Sequence, residues 1–291
     1  MPARTQRQPW TIALVGSGNL ARALGLALRS VDYRITTVAA RNTAASRKRA
    51  AALARELHAT AIRLEDMGPQ ADIIWICHTD DALAQTASRL ARQAGWKNKT
   101  VFHSSGALSS EVLAPLQRAG AHTASLHPMM TFVPGTTPKM RDVPFAVEGD
   151  RQAMRVARAI GLRLGAEVFT IKRQNKVLYH ALGSFASPLI VATLVTAERV
   201  GRGAGLSREQ TRAIIGPILE QTLNNYRRRG AVAAFSGPIK RGDLETVRRH
   251  LRDLRRVPEA IAVYRSLIRS ALRDLPAKRR LELLKTLGRE H

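Results

Sequence analysis

Short apolar runs and longer stretches of helical spacing alternate along the first part of the chain. TIALVG (11–16), ITTVAA (35–40), ADIIWICH (71–78), TVFHSS (100–105), HTASLHP (122–128), PFAVEG (144–149) and AEVFTI (166–171) have strand length and strand composition. Between them, segments near 19–30, 43–57, 80–94, 109–119 and 151–164 read as helices. The near-continuous apolarity of 71–78 is that of a strand covered on both faces of a parallel sheet. Strand and helix in alternation predict an α/β, doubly wound domain. After Ile171 the strand signals stop. Residues 173–200 read as one long apolar helix interrupted near Pro188 and ended by Gly201, Gly203 and Gly205. Ser207 and Gln210 have capping-box spacing and open a helix that runs to about Arg229. Helices at about 243–254, 258–275 and 277–288 complete an all-α second domain. The expected division is 1–171 and 172–291, with the substrate site where the two domains meet.

The first turn after a strand carries the most legible chemistry. Gly16-Ser17-Gly18-Asn19-Leu20-Ala21 matches G-x-G-x-x-[G/A] and lies between a strand and a helix. In that context Gly16 makes the tight turn and Gly18 lets a pyrophosphate approach the backbone. Ala21 lets helix and strand pack closely, and the N–H groups of Asn19 and Leu20 point at the anion. The fold class is therefore an N-terminal Rossmann domain followed by helices. The second strand ends in Ala39-Ala40-Arg41-Asn42-Thr43, without the acidic residue that holds the ribose 2′-OH of NAD. Arg41, with Asn42, Thr43 and Arg47 beside it, offers donors to a 2′-phosphate instead. The cofactor expected is NADPH, with NAD or a deazaflavin coenzyme as alternatives. Thr79 and Asp80 follow the third long strand, where the loop borders the riboses. Asp80 also reads as the N-cap of the next helix.

Composition changes this picture little. With 45% hydrophobic residues, the 291-residue chain has the material for a sizeable core. A net charge of +25 arises from 47 Lys and Arg against 22 Asp and Glu, and the basic residues are spread over most helices. Few aromatics accompany them, so the charge reads as a solvated surface rather than a specific nucleic-acid site. It also suits an anionic cofactor and an anionic small-molecule substrate. The sequence shows no run of eighteen apolar residues, so no membrane span is expected. The basic N-terminus lacks the apolar region of a signal peptide. The single Cys77 forms no internal disulfide and reads as a small buried apolar residue. A cytoplasmic location follows as an expectation.

GSGNLARAL resembles the opening of pyrroline-5-carboxylate reductases. VFHSSGALSSEVL, SLHPMMTFV, VPFAVEGD, K-x-x-YHA-x-GSFASP and GPIKRGD together resemble a bacterial family of Rossmann-like proteins with a C-terminal domain of unknown function. That family stands in the 6-phosphogluconate-dehydrogenase-like superfamily, near ketopantoate reductase. The resemblance spans about residues 10–272. It implies a nicotinamide cofactor, a helical domain after the Rossmann domain and a homodimer. Ketopantoate, or another ketoacid or imine, is the substrate class it suggests.

Reduction of such a substrate needs a proton donor beside the hydride. Lys176 and His180 share one helix face in the segment after the last strand. In the wider superfamily this helix carries Lys and Asn at that spacing; here His stands second. Lys176 is the expected general acid, its pKa lowered by burial, with His180 as orienting group or in the exchanged role. Ser104 and Ser105 end one strand and His127 ends the next, at the carboxyl ends where ligands bind. His127-Pro128-Met129 resembles the His-Pro-Met of prephenate dehydrogenases, but Met130 stands where glycine tends to follow. Residues 129–138 are expected to form a flap. No metal site is expected.

Overall fold

The computed structural model describes residues 10–136 and 138–288. The basic N-terminal segment before Trp10 and flap residue Thr137 therefore lie outside the described residues. The chain divides into two compact units, 1–184 and 185–291.

In the first unit the strands and helices are β1 (Thr11–Val15), α1 (Asn19–Arg29), β2 (Arg34–Ala40), α2 (Ala44–Leu57), β3 (Thr60–Arg63), β4 (Ile73–Ile76), α3 (Asp80–Leu90), β5 (Thr100–His103), α4 (Ala114–Arg118), β6 (His122–Pro128), β7 (Phe145–Gly149), α5 (Arg151–Leu164), β8 (Val168–Thr170) and α6 (Lys176–Ala186, crossing into the second unit). The eight strands form one sheet in the order β3-β2-β1-β4-β5-β6-β7-β8. Neighbours are parallel except β6 and β7, which run antiparallel. Strand order reverses between β1 and β4, the switch point where such sheets leave a crevice.

The period of two within each strand sorts the core onto the two faces. Ile12, Leu14, Ile73 and Trp75 join one apolar cluster, whereas Ala13, Val15, Ile74 and Ile76 join the other. Both faces are covered, which is why β1 and β4 read as unbroken apolar runs. Strand β3 was not anticipated from sequence. It is an edge strand pairing only with β2, and Thr60, Ala61 and Arg63 are exposed, so it has no buried pattern to read. The helix expected at 109–119 is a 3-10 turn at Ser110–Leu113 followed by the short α4, with Pro115 in its first turn. Asp80 is the first residue of α3 rather than its cap, a position taken by Thr79.

The second unit is helical: α7 (Pro188–Gly203), α8 (Arg208–Ala234), α9 (Gly237–Arg241), α10 (Leu244–Asp253), α11 (Pro258–Asp274) and α12 (Arg280–Leu287). The chain bends at Ser187, just before Pro188. The capping box forms as read: Ser207 accepts from the Gln210 N–H, and Gln210 accepts from the Ser207 N–H. Within α8 the helical backbone breaks at Gly230 (φ +76°), directly after the expected end at Arg229, and a further helical stretch follows to Ala234. Leu244, Val247, Leu251, Ile268, Leu272, Leu283 and Leu287 form the core of this unit. Apolar side chains on α7 and α8 stay exposed, among them Val191, Val195, Ile214, Ile218 and Tyr226. Arg173–Gly203 is long and apolar enough, by length and composition alone, to cross a membrane, and only 6% of its most apolar window is buried. The bend at Ser187 divides that stretch into α6 and α7.

Candidate functional site

The crevice at the switch point is a cavity of about 210 Å³ lined by Gly16, Ser17, Gly18, Ala40, Arg41, Ser46, Arg49, Cys77, His78, Thr79 and Ala82. Its two glycines are there for different reasons. Gly16 has φ +125°, and a Cβ on it would stand 2.8 Å from the Cys77 carbonyl oxygen, so the fold itself demands glycine. Gly18 has an ordinary φ of −82°, and a Cβ there would meet nothing within 4 Å. What glycine provides at Gly18 is room for a close ligand. Gly18 also stands at the N-cap of α1 without a side chain to cap it, which leaves the first N–H groups of the helix for an anion. Asn19 Nδ2 donates to the Phe132 carbonyl at 3.1 Å, which ties the glycine loop to the segment after β6. Leu20 is half-buried against the core.

Around the end of β2 the structure redistributes the expected donors. Thr43 is the N-cap of α2 and accepts from the Ser46 N–H at 3.2 Å. Arg47 donates to Asn42 Oδ1 at 2.5 Å, so these two residues engage each other, and neither lines the crevice. Arg49, which the sequence reading passed over, lines it beside Arg41 and lies 3.3 Å from Ser46 Oγ. Its spacing of eight from Arg41 carried no signal until α2 turned it inward. Cys77 borders the same crevice, and burial pushes its thiol up to about 12.

A second cluster lies at the carboxyl ends of β5 and β6, within residues 1–184. Lys176, the first residue of α6, is 1% exposed. Its Nζ donates to the Ser105 carbonyl at 3.0 Å and to Ser125 Oγ at 2.6 Å. Burial lowers its pKa to about 8, against the pull of Glu148 and Asp80. His180, one turn on, is exposed and meets His127 edge to face at 6.0 Å. His127 Nδ1 lies 3.0 Å from the hydroxyl of Tyr179, a residue the sequence reading did not single out. Burial, Lys176 and His180 lower His127 to about 4, so its imidazole is neutral at pH 7. Burial raises the Tyr179 phenol to about 12. Gly106 makes the imidazole pair possible: a Cβ there would stand 2.4 Å from His180 Cδ2 and 2.9 Å from His127 Nε2.

The structure thus brings Lys176, His180, His127, Ser104 and Ser105 together at the ends of β5 and β6. Lys176 lies beneath the surface, with its ammonium tied to Ser105 and Ser125. The Ser104 hydroxyl accepts from Trp75 Nε1 at 2.8 Å and donates to the Leu126 carbonyl at 3.0 Å. Ser105 Oγ accepts from the N–H groups of Ala107 and Leu108. Both serine hydroxyls hold the strand ends and the turn. The groups left at the surface are His127, Tyr179 and His180. Among the described residues no cluster of metal-ligating side chains occurs.

Parallel strands, a glycine turn at the switch point and a helix N-terminus open to an anion define the class: a dinucleotide-binding fold. Family comparison agrees. The family model of a Rossmann-like domain matches residues 3–128, and that of a domain of unknown function, DUF2520, matches 143–271. Solved structures share the fold. A candidate NADP oxidoreductase from Bacteroides fragilis, BF3122, is 22% identical, with a TM-score of 0.74 over 90% of this chain and 98% of its own. Protein TM1727 of Thermotoga maritima is 22% identical, with a TM-score of 0.71 over 89% and 95%. An imine reductase from Myxococcus stipitatus, solved with NADP+, is 19% identical, with a TM-score of 0.64 over 90% and 94%. No curated protein matches the chain.

Proposed function

We propose that this chain is an NADP-dependent oxidoreductase that reduces the C=N or C=O bond of a small anionic imine or ketoacid. The observation that carries the reading is the crevice itself. A glycine the fold does not require stands at an uncapped helix N-terminus, and Arg41 and Arg49 line the same crevice. Two such groups suit the 2′-phosphate that NADP carries and NAD lacks. Imine reductase and reductive aminase structures solved with NADP+ or NADPH share this fold, which supports the same cofactor and reaction class here.

Bound NADPH would supply the hydride. The chain's own part is to hold the acceptor and manage its proton. A neutral His127, with Nδ1 turned to Tyr179, presents Nε2 on the Gly106 side as a hydrogen-bond donor to the substrate heteroatom. Tyr179 fixes the ring, and exposed His180 relays a proton from solvent. Lys176 places positive charge below the site and fixes the Ser105 carbonyl. In this reading the exposed apolar faces of α7 and α8 are covered by a second copy, which sedimentation of the purified protein tests.

The deciding experiment follows NADPH consumption over a panel of cyclic imines and 2-ketoacids, ketopantoate included. Turnover that drops about a hundredfold in His127→Ala supports the assignment. Tight NADPH binding with no oxidation by any acceptor would make the chain a non-catalytic cofactor-binding protein.

A further inference from the structure

His78 follows β4 and faces the crevice across the switch point from the glycine loop. Its ring packs on the first glycine: a Cβ on Gly16 would stand 3.2 Å from His78 Cδ2. Nδ1 lies 2.8 Å from Oγ1 of Thr86, a buried residue of α3. That bond pins the imidazole against the helix. Nε2 makes no hydrogen bond to any described residue.

The hydroxyl partner matters. Thr86 can donate to a neutral Nδ1 or accept from a protonated one by rotating its hydrogen. The ring is therefore held in one place in both protonation states, and Nε2–H is a donor in the imidazolium and in the neutral tautomer whose Nδ1 accepts from Thr86. The charged and titratable groups around it are Arg41 at the end of β2, Arg49 from α2, Asp81 in the first turn of α3 and the neutral thiol of Cys77. Burial, seconded by Arg41, holds His78 below its ordinary pKa, and Asp81 opposes them. With the crevice empty the imidazole is neutral at pH 7. A pyrophosphate at the glycine loop reverses the local balance, because its negative charge favours the imidazolium.

We propose that His78 is a ligand of the cofactor's pyrophosphate, and that cofactor binding draws a proton onto its imidazole so that affinity rises as pH falls. The proposal rests on the NADP reading above. The sign follows from linkage: a group whose pKa rises on binding takes up a proton, and the complex then tightens as pH drops through the bound-state pKa.

The test is calorimetry with NADP+, which is stable in mild acid, from pH 8 to pH 5.5, in two buffers of different ionisation enthalpy. The wild-type protein is expected to take up a proton on binding and to bind about threefold or more tighter near pH 6 than at pH 8, relative to His78→Asn. The 2′-phosphate titrates in the same range, but its contribution is common to both proteins and cancels in the difference. Equal proton uptake in wild type and His78→Asn overturns the proposal and leaves the NADP reading intact. Failure of the wild type to bind NADP+ at any pH removes the NADP reading itself. Should His78→Asn not fold, the imidazole ring-proton signals of the wild-type protein decide. One histidine must titrate at higher pH with NADP+ bound than without; unchanged titration of every histidine refutes the proposal.

Discussion

The Lys176 ammonium lies 3.0 Å from the Ser105 carbonyl oxygen, on a side chain only 1% exposed. A second bond, to Ser125 Oγ, joins α6 to β6 as well as to the β5 turn. Lys176→Met keeps the stem and removes both donors. It is expected to destabilise the fold by roughly 1–3 kcal/mol, because the Ser105 carbonyl and Ser125 Oγ lose a charged donor and keep only their weaker mutual bond. Urea unfolding reads this, with NADP+ affinity unchanged. Full stability combined with a hundredfold loss of turnover would assign Lys176 the general acid's role.

Gly18→Val is expected to leave the melting temperature within about 2 °C of wild type, since a Cβ there meets nothing and φ is ordinary. NADP+ binding should disappear, because the side chain fills the space the pyrophosphate needs. Calorimetry and thermal melts on the same sample separate the two effects. Undiminished binding would move the cofactor away from this loop.

Cofactor choice should follow the crevice rather than the local sequence. Arg41→Ala and Arg49→Ala are each expected to lower the NADP+ over NAD+ preference about tenfold, the worth of one charge-assisted hydrogen bond. Arg47→Ala should change it little, since Arg47 is held by Asn42. Titrating all three variants with both cofactors gives the ranking. A larger effect from Arg47 than from Arg49 contradicts it.

Acid should weaken the fold through His103. Its Nδ1 accepts from the Ser105 N–H, so Nε2 carries the proton and donates to the Ser109 carbonyl. Burial, with Lys176 nearby, lowers its pKa to about 3. The unfolded chain binds this proton below about 6.5 while the folded chain does not. Stability is therefore complete above that pH and declines as pH falls from about 6.5 towards 3, by up to about 1.4 kcal/mol per pH unit. His127, lowered to about 4, adds to the decline. Melting temperatures over this range should fall steeply in wild type and less so in His103→Gln.

How far sequence reached depends on whether the signal was local. Strand β4 was legible because burial on both faces leaves only apolar residues. The capping box at Ser207 and the break at Pro188 were legible because each is set by a few adjacent residues. Strand β3 was not, because an exposed edge strand needs only a partner's backbone. In the site, the residue types at β5, β6 and α6 pointed to one neighbourhood. Which atoms faced outward depended on contacts across long sequence separations, such as Lys176 with Ser105 and His127 with Tyr179. Arg47 and Arg49 differ by two positions on a helix, and only the packed helix shows which one turns towards the crevice.

The bond from Asn19 to the Phe132 carbonyl has a kinetic consequence. Asn19 opens the helix whose N-terminus the proposed function assigns to the pyrophosphate. Phe132 belongs to the segment that leaves His127 and passes Met129, whose sulfur a Cβ on Gly183 would meet at 2.8 Å. Under the proposed function, a dinucleotide bound at this helix would steady the segment that leads back to His127. Initial rates should obey an ordered sequential scheme, with the coenzyme on first and off last. Product inhibition by NADP+ would then be competitive against NADPH and non-competitive against the acceptor.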